Sequence, residues 1–375
     1  MFQKLRKIVL FLLALLAVGY LFYKFRNSIT LEGFHWGMVA QSLRSARLSL
    51  LVLGLLSIYA CFALRAARWM RFSRAIGPTS FWHVYSATLM GFTCSFLLGR
   101  AGEPIRPVLI AKKDSIPVPS MFGVYVLERV FDMAAAAVIA GFALLAFERR
   151  ETGPGGPSSR IMALARTGSV LLFILLASAI VFLLYFRFHG AEWLAKRLKK
   201  STWRHGWRGK IIVLLEGFSD GLQGIRTTND LGAVIVYSAA HWFLVLLVYV
   251  WISRAFTGEP ALAGMTLSGA LVVLAFTLMG SAAQLPGVGG GAQLATFLVL
   301  TLIFGVEKEP AATVSIILWL ITFAGCCLVG LPLLFMEGWS MGELRRMATA
   351  EEQAAEAVES AVWDKKLEST EERPR

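Results

Sequence analysis

Charge is scarce in this 375-residue sequence: 16% of residues are charged, against ~25% in soluble domains. Its hydrophobic fraction is 57%, against ~45–50%. That balance excludes an ordinary soluble globular protein, and it excludes disorder, which needs low hydrophobicity. Cysteine is sparse too. Cys61, Cys94, Cys326 and Cys327 all sit in or beside apolar stretches and read as small buried hydrophobes, with no disulfide framework or zinc spacing. The five histidines are scattered without an HExxH pair, so no metal is expected. No GxxxxGK[ST] phosphate loop occurs, which argues against an ATP-driven pump within this chain, and no cofactor is expected. Acids are outnumbered by bases, 24 to 37, for a net charge of +13. Such a charge can signal nucleic acid. Here the bases form short clusters between apolar runs, the pattern of cytoplasmic loops and anionic lipid surfaces, so no nucleic-acid partner is expected.

What the sequence has in abundance is long apolar runs. After the basic start MFQKLRK comes Ile8–Tyr23, which continues past its weak cleavage candidate at Ala17-Val18-Gly19 and so reads as a retained anchor helix rather than a signal peptide. Leu48–Leu64, Ser120–Phe147, Thr167–Phe186, Leu231–Ser253 and Thr313–Phe335 follow, each near the ~20 residues that cross a bilayer as helix. Two further apolar regions are interrupted by glycine and proline: Phe81–Leu98 with GRAGEPIRP and Val108–Ala111, and Met265–Leu285 with PGVGGG and Ala292–Phe304. Proline removes a backbone donor, and exposed backbone at membrane depth needs protein or a wet cavity around it. Both regions therefore read as re-entrant or broken helices.

Loop charge gives the orientation. Arg65, Arg68, Arg71 and Arg74 follow the Leu48–Leu64 span without an acid, and the stretch Arg187–Asp230 is strongly basic. Positive-inside ordering puts both, and the basic N-terminus, in the cytoplasm. The outer segment Lys24–Arg47, with net +3, fits this less well. The expectation is an all-α polytopic membrane protein of six full spans plus two re-entrant or broken helical hairpins, both termini cytoplasmic, in the cell (inner) membrane. Its transmembrane domain would be residues 1–340 and its tail, 341–375, a solvated helix or disordered end. Corresponding spans flank the two interruptions, which suggests an inverted repeat, and paired interruptions point to a transporter's binding site. His189–Arg208 suits an interfacial helix, and the apolar spacing from Ile211 to Ile225 a surface helix.

Three signals carry chemistry. Glu128, Arg129 and Asp132 lie inside the apolar run Ser120–Phe147. Each charge costs ~2.5–3.5 kcal/mol at the membrane centre, so they must face protein or water. Glu128 and Asp132 share a helix face, and Arg129 can pair with Asp132. Two roles are open: a charge network that ties helices together, or a functional polar site, the default for intramembrane ionisable groups. The second signal is Gly99-Arg100-Ala101-Gly102-Glu103-Pro104-Ile105-Arg106-Pro107, where Arg100 and Arg106 offer forked donors to phosphate and Glu103 can fix one of them or bind a cationic head; an ordinary basic turn is the plainer alternative. The third is Gln284-Leu285-Pro286-Gly287-Val288-Gly289-Gly290-Gly291-Ala292-Gln293. It either offers backbone amides to an anionic group beside Gln284 and Gln293 or packs helices closely through small residues. Arg65, Arg68 and Trp69 read as an anchor at the lipid surface, with contact to lipid phosphate as a further role.

In this order the three signals resemble the lysylphosphatidylglycerol synthase transmembrane-region family of flippase-like membrane proteins. The resemblance rests on Gly99-Arg100-Ala101-Gly102-Glu103-Pro104-Ile105-Arg106, on Glu128-Arg129-Val130-Phe131-Asp132, and on Pro286-Gly287-Val288-Gly289-Gly290, and it spans roughly Leu48–Phe335. The family often has Glu shortly after the last glycines, where this chain has Gln293, which implies a different lipid head. About 40 residues after the last span are too few for the cytosolic aminoacyltransferase domain of the full-length synthases, so the resemblance implies the translocating half.

The function expected is lipid translocation: a flippase-like transporter of phospholipid, aminoacyl-lipid or another anionic or zwitterionic lipid, and not itself an enzyme. A membrane-embedded transferase using a lipid-linked donor, with Glu128 or Asp132 as base, and a non-catalytic membrane scaffold are the alternatives. The expected partners are membrane lipids, with a second copy of the chain or a separate lipid-synthesising enzyme beside them.

Overall fold

A computed structural model of the chain describes residues 36–151, 167, 174, 178, 224–225, 227–281, 284–285 and 289–338. The expected spans Ile8–Tyr23 and Thr167–Phe186, the interfacial and surface helices between 189 and 225 and the tail lie outside the described residues, apart from isolated positions.

The described chain is helical. A short helix α1 (Trp36–Ser45) precedes α2 (Leu48–Ser73), whose apolar run contains no proline and ends before Gly77-Pro78. The first interrupted region forms α3 (Phe81–Leu98), a single 3-10 turn (Gly99–Gly102) and α4 (Ile105–Lys113). Gly99, with φ +67°, ends α3 in a conformation that favours glycine, and Pro104 sits at the N-cap of α4. Helix α5 (Val118–Glu151) is the longest, 34 residues or about 50 Å. Helix α6 (Thr228–Ala255) is capped by Thr227, whose hydroxyl accepts from the Asp230 amide at 3.1 Å.

A four-residue turn of helix, α7 (Pro260–Ala263), leads into the second interrupted region, which forms α8 (Leu267–Gly280), two paired strand fragments and α9 (Gly291–Leu302). The fragments, β1 (Gln284–Leu285) and β2 (Gly289–Gly290), run antiparallel with Gln284 opposite Gly290. Proline cannot continue the helix here, so the backbone pairs with itself instead. The last apolar stretch is α10 (Lys308–Trp319), a π-helical turn (Leu320–Ala324) and α11 (Cys327–Met336).

Three described segments are long and apolar enough to cross a membrane: Leu48–Ser73, Thr228–Ala255 and Lys308–Met336. Leu48, Val52 and Leu56 on α2, Leu231 and Ile235 on α6, and Leu328 and Phe335 on α11 are all exposed, an apolar surface suited to lipid.

The helices pack in matched pairs. Helices α2 and α6 form the most extensive contact. Around them, α2 on α3 has its counterpart in α6 on α8, α3 on α4 in α8 on α9, and α4 on α5 in α9 on α10. The long-range contacts match as well: α3 packs on α11 and α8 on α5. One exchange of α2–α5 for α6–α11 reproduces the pattern, as a structural repeat requires. Both hairpin crossings depend on glycine. A Cβ at Gly91 would stand 2.5 Å from Cβ of Arg106, and one at Gly280 would meet the Gly291 carbonyl and, at 2.6 Å, Ala295. The two interruptions also touch, β1 lying against the 3-10 turn.

Two apolar cores result. One gathers Ile58 and Phe62 with the buried faces of α6, α8, α9 and α10 and with Ile139 and Ala143 of α5. The other gathers Ala66, Trp69 and Phe72 with α3, α4 and Val124 and Leu127 of α5.

Candidate functional site

The charged residues lie where the two cores meet. On α2 they fall between Phe62 and Trp69, on α5 between Leu127 and Ile139, and on α6 the polar pair Ser238 and His241 falls between Val234 and Val248. Arg65 and Arg68 are three apart and share a face of α2, while Glu128 and Asp132 are four apart and share a face of α5. The faces meet. Arg65 Nη2 lies 2.8 Å from Asp132 Oδ2 and 3.1 Å from Glu128 Oε1. Arg68 Nη2 donates to Glu128 Oε1 at 2.9 Å and to Asp132 Oδ1 at 2.7 Å. Arg106, carried in by α4, donates to both oxygens of Glu128. Glu128, fully buried, thus faces three guanidinium groups closely and a fourth, that of Arg129, at 3.9 Å.

Arg129 turns the other way round the helix. Its Nη2 lies 3.1 Å from Asp132 Oδ2, and its Nη1 lies 3.9 Å from Glu103. Glu103 is held by the Tyr125 hydroxyl, which donates to it at 2.6 Å. From α6, Ser238 accepts from Arg68 at 3.0 Å, and His241 Nε2 stands 3.4 Å from Arg65 Nη1. Arginine has no acceptor, so that contact is a hydrogen bond when Nε2 is bare and the imidazole proton is on Nδ1. The guanidiniums are also stacked: Arg106 lies 4.5 Å from the Trp69 ring centroid, Arg65 5.1 Å from Phe92 and Arg129 5.3 Å from Tyr125. Unpaired charges at this depth would each cost ~2.5–3.5 kcal/mol, and pairing with stacking offsets that cost.

The network forms one wall of a cavity of about 390 Å³, within the ~300–1,000 Å³ of small-ligand sites. Arg65, Glu103, Arg106 and Arg129 line it on one side; Ala292, Gln293 and Thr296 of α9 line another, and Trp319, Thr322 and Phe323 at the π-helical turn a third. Both interrupted regions therefore contribute to the cavity wall. Glu128 and Asp132 stand behind the lining arginines and charge-balance them. Arg129 and Glu103 are the most open of the charged groups, with side chains 36% and 35% exposed.

The sequence-predicted residues divide accordingly. Arg106, Glu128, Arg129, Asp132 and Glu103 come together in one network, and Gln293 lines the same cavity. Gln293 also accepts from the Gly290 amide and so caps α9, which takes up one of the amides expected to face an anion. Gln284, Gly289 and Gly290 form the strand fragments. Pro286 and Gly287 lie outside the described residues, as does the side chain of Arg100, whose backbone is in the 3-10 turn.

Arg65, Arg68 and Trp69 require a correction. The expectation placed them at a lipid-surface anchor after a span ending at Leu64. Helix α2 instead runs on to Ser73, and Arg68 and Trp69 are each only 1% exposed. The carboxylates of α5 neutralise the arginines, so the helix does not have to end where they begin. His241, Ser238, Tyr125 and Trp69's role as a stacking platform escaped the sequence reading. A signal existed for two of them, since Ser238 and His241 sit three apart inside an apolar span, where a polar pair on one face needs a partner.

A family model described as the lysylphosphatidylglycerol synthase TM region matches residues 7–330. The chain belongs to this family. Membership makes it a membrane protein of lipid modification or translocation, and the matched region includes the whole charge network and both interrupted segments of this synthase-type membrane region. No curated protein and no solved structure matches the chain.

Proposed function

We propose that the protein translocates lipid across the cell membrane, with the head entering the charge-lined cavity while the acyl tails stay in the bilayer. The observation that carries this reading is the cavity itself. It has a largely apolar lining with one charged wall of paired arginines, and it lies between two broken helical regions. Arg100, Arg106 and Arg129 would receive the lipid phosphate, and Glu103, Glu128 and Asp132 would balance charge. The matched packing of the two halves supports an inverted repeat whose interrupted segments alternate access by rocking about the site. Movement is passive or ion-coupled, both termini are cytoplasmic, and residues 341–375 form a tail outside the transmembrane domain, 1–340.

The test is translocation of fluorescent phospholipid in proteoliposomes, comparing wild type, Arg129→Ala and empty vesicles, with mass spectrometry of the recovered lipid. Wild type moves lipid unchanged in mass, and Arg129→Ala falls towards the empty-vesicle rate while keeping its elution volume in detergent. Equal rates in all three samples overturn the proposal, and a lipid of altered mass replaces it with transferase chemistry.

A further inference from the structure

The wall of the cavity has a donor and charge surplus that narrows the ligand. Four guanidiniums, Arg65, Arg68, Arg106 and Arg129, meet three carboxylates, Glu103, Glu128 and Asp132, and every one of those carboxylates already faces at least one guanidinium. The described network thus holds one positive charge more than it balances. An independent observation points the same way. Arg65 Nε, Arg129 Nε, His241 Nδ1, Trp242 Nε1 and Trp319 Nε1 are buried and find no acceptor among the described residues. All five residues line the cavity. With His241 Nε2 turned to Arg65, each of these five nitrogens carries a hydrogen to donate. A buried donor left without an acceptor costs ~1–3 kcal/mol; these nitrogens are covered by neighbouring side chains, so a ligand bringing acceptor oxygens satisfies them where the lining side chains turn towards it.

The carboxylate that lines the cavity and two of its rings are already engaged by cations or donors. Tyr125 and Arg129 occupy Glu103, and guanidiniums cover the rings of Phe92 and Tyr125. The lining hydroxyl of Thr322 donates backwards to the carbonyl of Leu318, which leaves a neutral lone pair able to accept from a ligand hydroxyl, while Thr296 donates to Ala292 and also meets Thr277 Oγ1 at 2.7 Å.

We propose that the cavity selects an anionic phosphate head that bears hydroxyls and no amine, and discriminates against aminoacylated and amine-bearing heads. The proposal rests on the translocation reading for its lipid source, but its head-group chemistry stands on the wall of the cavity alone. A soluble phosphate ester would offer the same chemistry.

The test measures binding apart from transport. The full chain in detergent is titrated with short-chain phosphatidylglycerol, phosphatidylethanolamine and lysylphosphatidylglycerol, and separately with glycerol 3-phosphate and inorganic phosphate, by native mass spectrometry and thermal stabilisation. Phosphatidylglycerol binds about tenfold or more tighter than the other two lipids, a difference of ~1.4 kcal/mol. Gln293→Glu, which adds a carboxylate to the wall at almost constant shape, reduces or reverses that ratio. Trp242→Phe, which keeps the ring and loses one donor, weakens phosphatidylglycerol about threefold to tenfold. Equal or tighter binding of lysylphosphatidylglycerol, or an unchanged ratio in Gln293→Glu, overturns the proposal. Glycerol 3-phosphate binding as tightly as the lipid upholds the head-group chemistry and moves the source to a soluble ester. The binding order without lipid movement overturns translocation alone, and lipid movement without a binding order overturns this inference alone.

Discussion

Glu128 is the residue on which the polar layer turns, and Glu128→Gln tests that directly. The substitution keeps the shape and removes one negative charge. Asp132 retains Arg65, Arg68 and Arg129 as partners. Arg106 loses its carboxylate, since among the described residues its ion pairing is to Glu128, and its guanidinium is held between Trp69 and Phe92 away from water. Removing one partner of a buried pair costs ~3–5 kcal/mol. The upper half of that range applies here, because four guanidiniums then crowd a neutral amide. Asp132→Asn is milder, at about 2 kcal/mol, because Arg65 and Arg68 keep Glu128 and Arg129 keeps Glu103 within 3.9 Å. The double variant Glu128→Leu with Arg106→Met replaces the pair by apolar groups and recovers ~2–3 kcal/mol relative to the sum of the single changes. The assay is reversible unfolding in mixed micelles, with each variant measured in the same lipid-to-detergent ratio. The reasoning fails if Glu128→Gln stays within about 1 kcal/mol of wild type, if Asp132→Asn is equally damaging, or if the double variant is additive.

Two further outcomes follow from the same geometry. Gly91→Ala places a methyl 2.5 Å from Cβ of Arg106 and costs ~1–3 kcal/mol, with loss of lipid movement exceeding that of Gly232→Ala, where a methyl meets open space; equal effects of the two substitutions in proteoliposomes would refute the role of that crossing. Tyr125→Phe keeps the ring beside Arg129 and releases Glu103 for about 1 kcal/mol, so amine-bearing heads gain affinity relative to phosphatidylglycerol, and an unchanged selectivity in the binding titration would count against the engaged-carboxylate argument.

The membrane class, both interruptions and the α5 charges were legible because each breaks a local rule: charge inside an apolar run, or glycine and proline inside a helical one. The pairing of Arg129 with Asp132 was legible from helical spacing. Arg65 and Arg68 were misread for a physical reason. A charge at the end of an apolar run looks like the end of a span, and only the carboxylates some 60 residues later show that the helix continues. His241 and Ser238 were hidden by the same non-locality, since one polar pair on a long apolar helix gives no indication of what it faces. The hairpin β1–β2 was invisible because two residues per strand carry no periodicity.

The buried ionic contacts of the polar layer all lie among residues of α2, α4 and α5, and among the described residues the layer reaches α6 by the hydrogen bonds from Arg68 to Ser238 and between Arg65 and His241. The seam between the halves is therefore electrically quiet in the interior, and its ion pairs, Arg71 and Arg74 with Asp230 and Lys113 with Glu337, sit at the ends of α2, α4 and α11, where such pairs contribute ~0–1 kcal/mol. One half can slide against the other by exchanging hydrogen bonds to neutral groups, those of Arg65 and Arg68 at ~1.5–3 kcal/mol each and those from Tyr59 to Gly325 and from Thr93 to Cys326 at ~0.5–1.5 kcal/mol each, while the saltlike cluster travels intact as a rigid passenger of the first half.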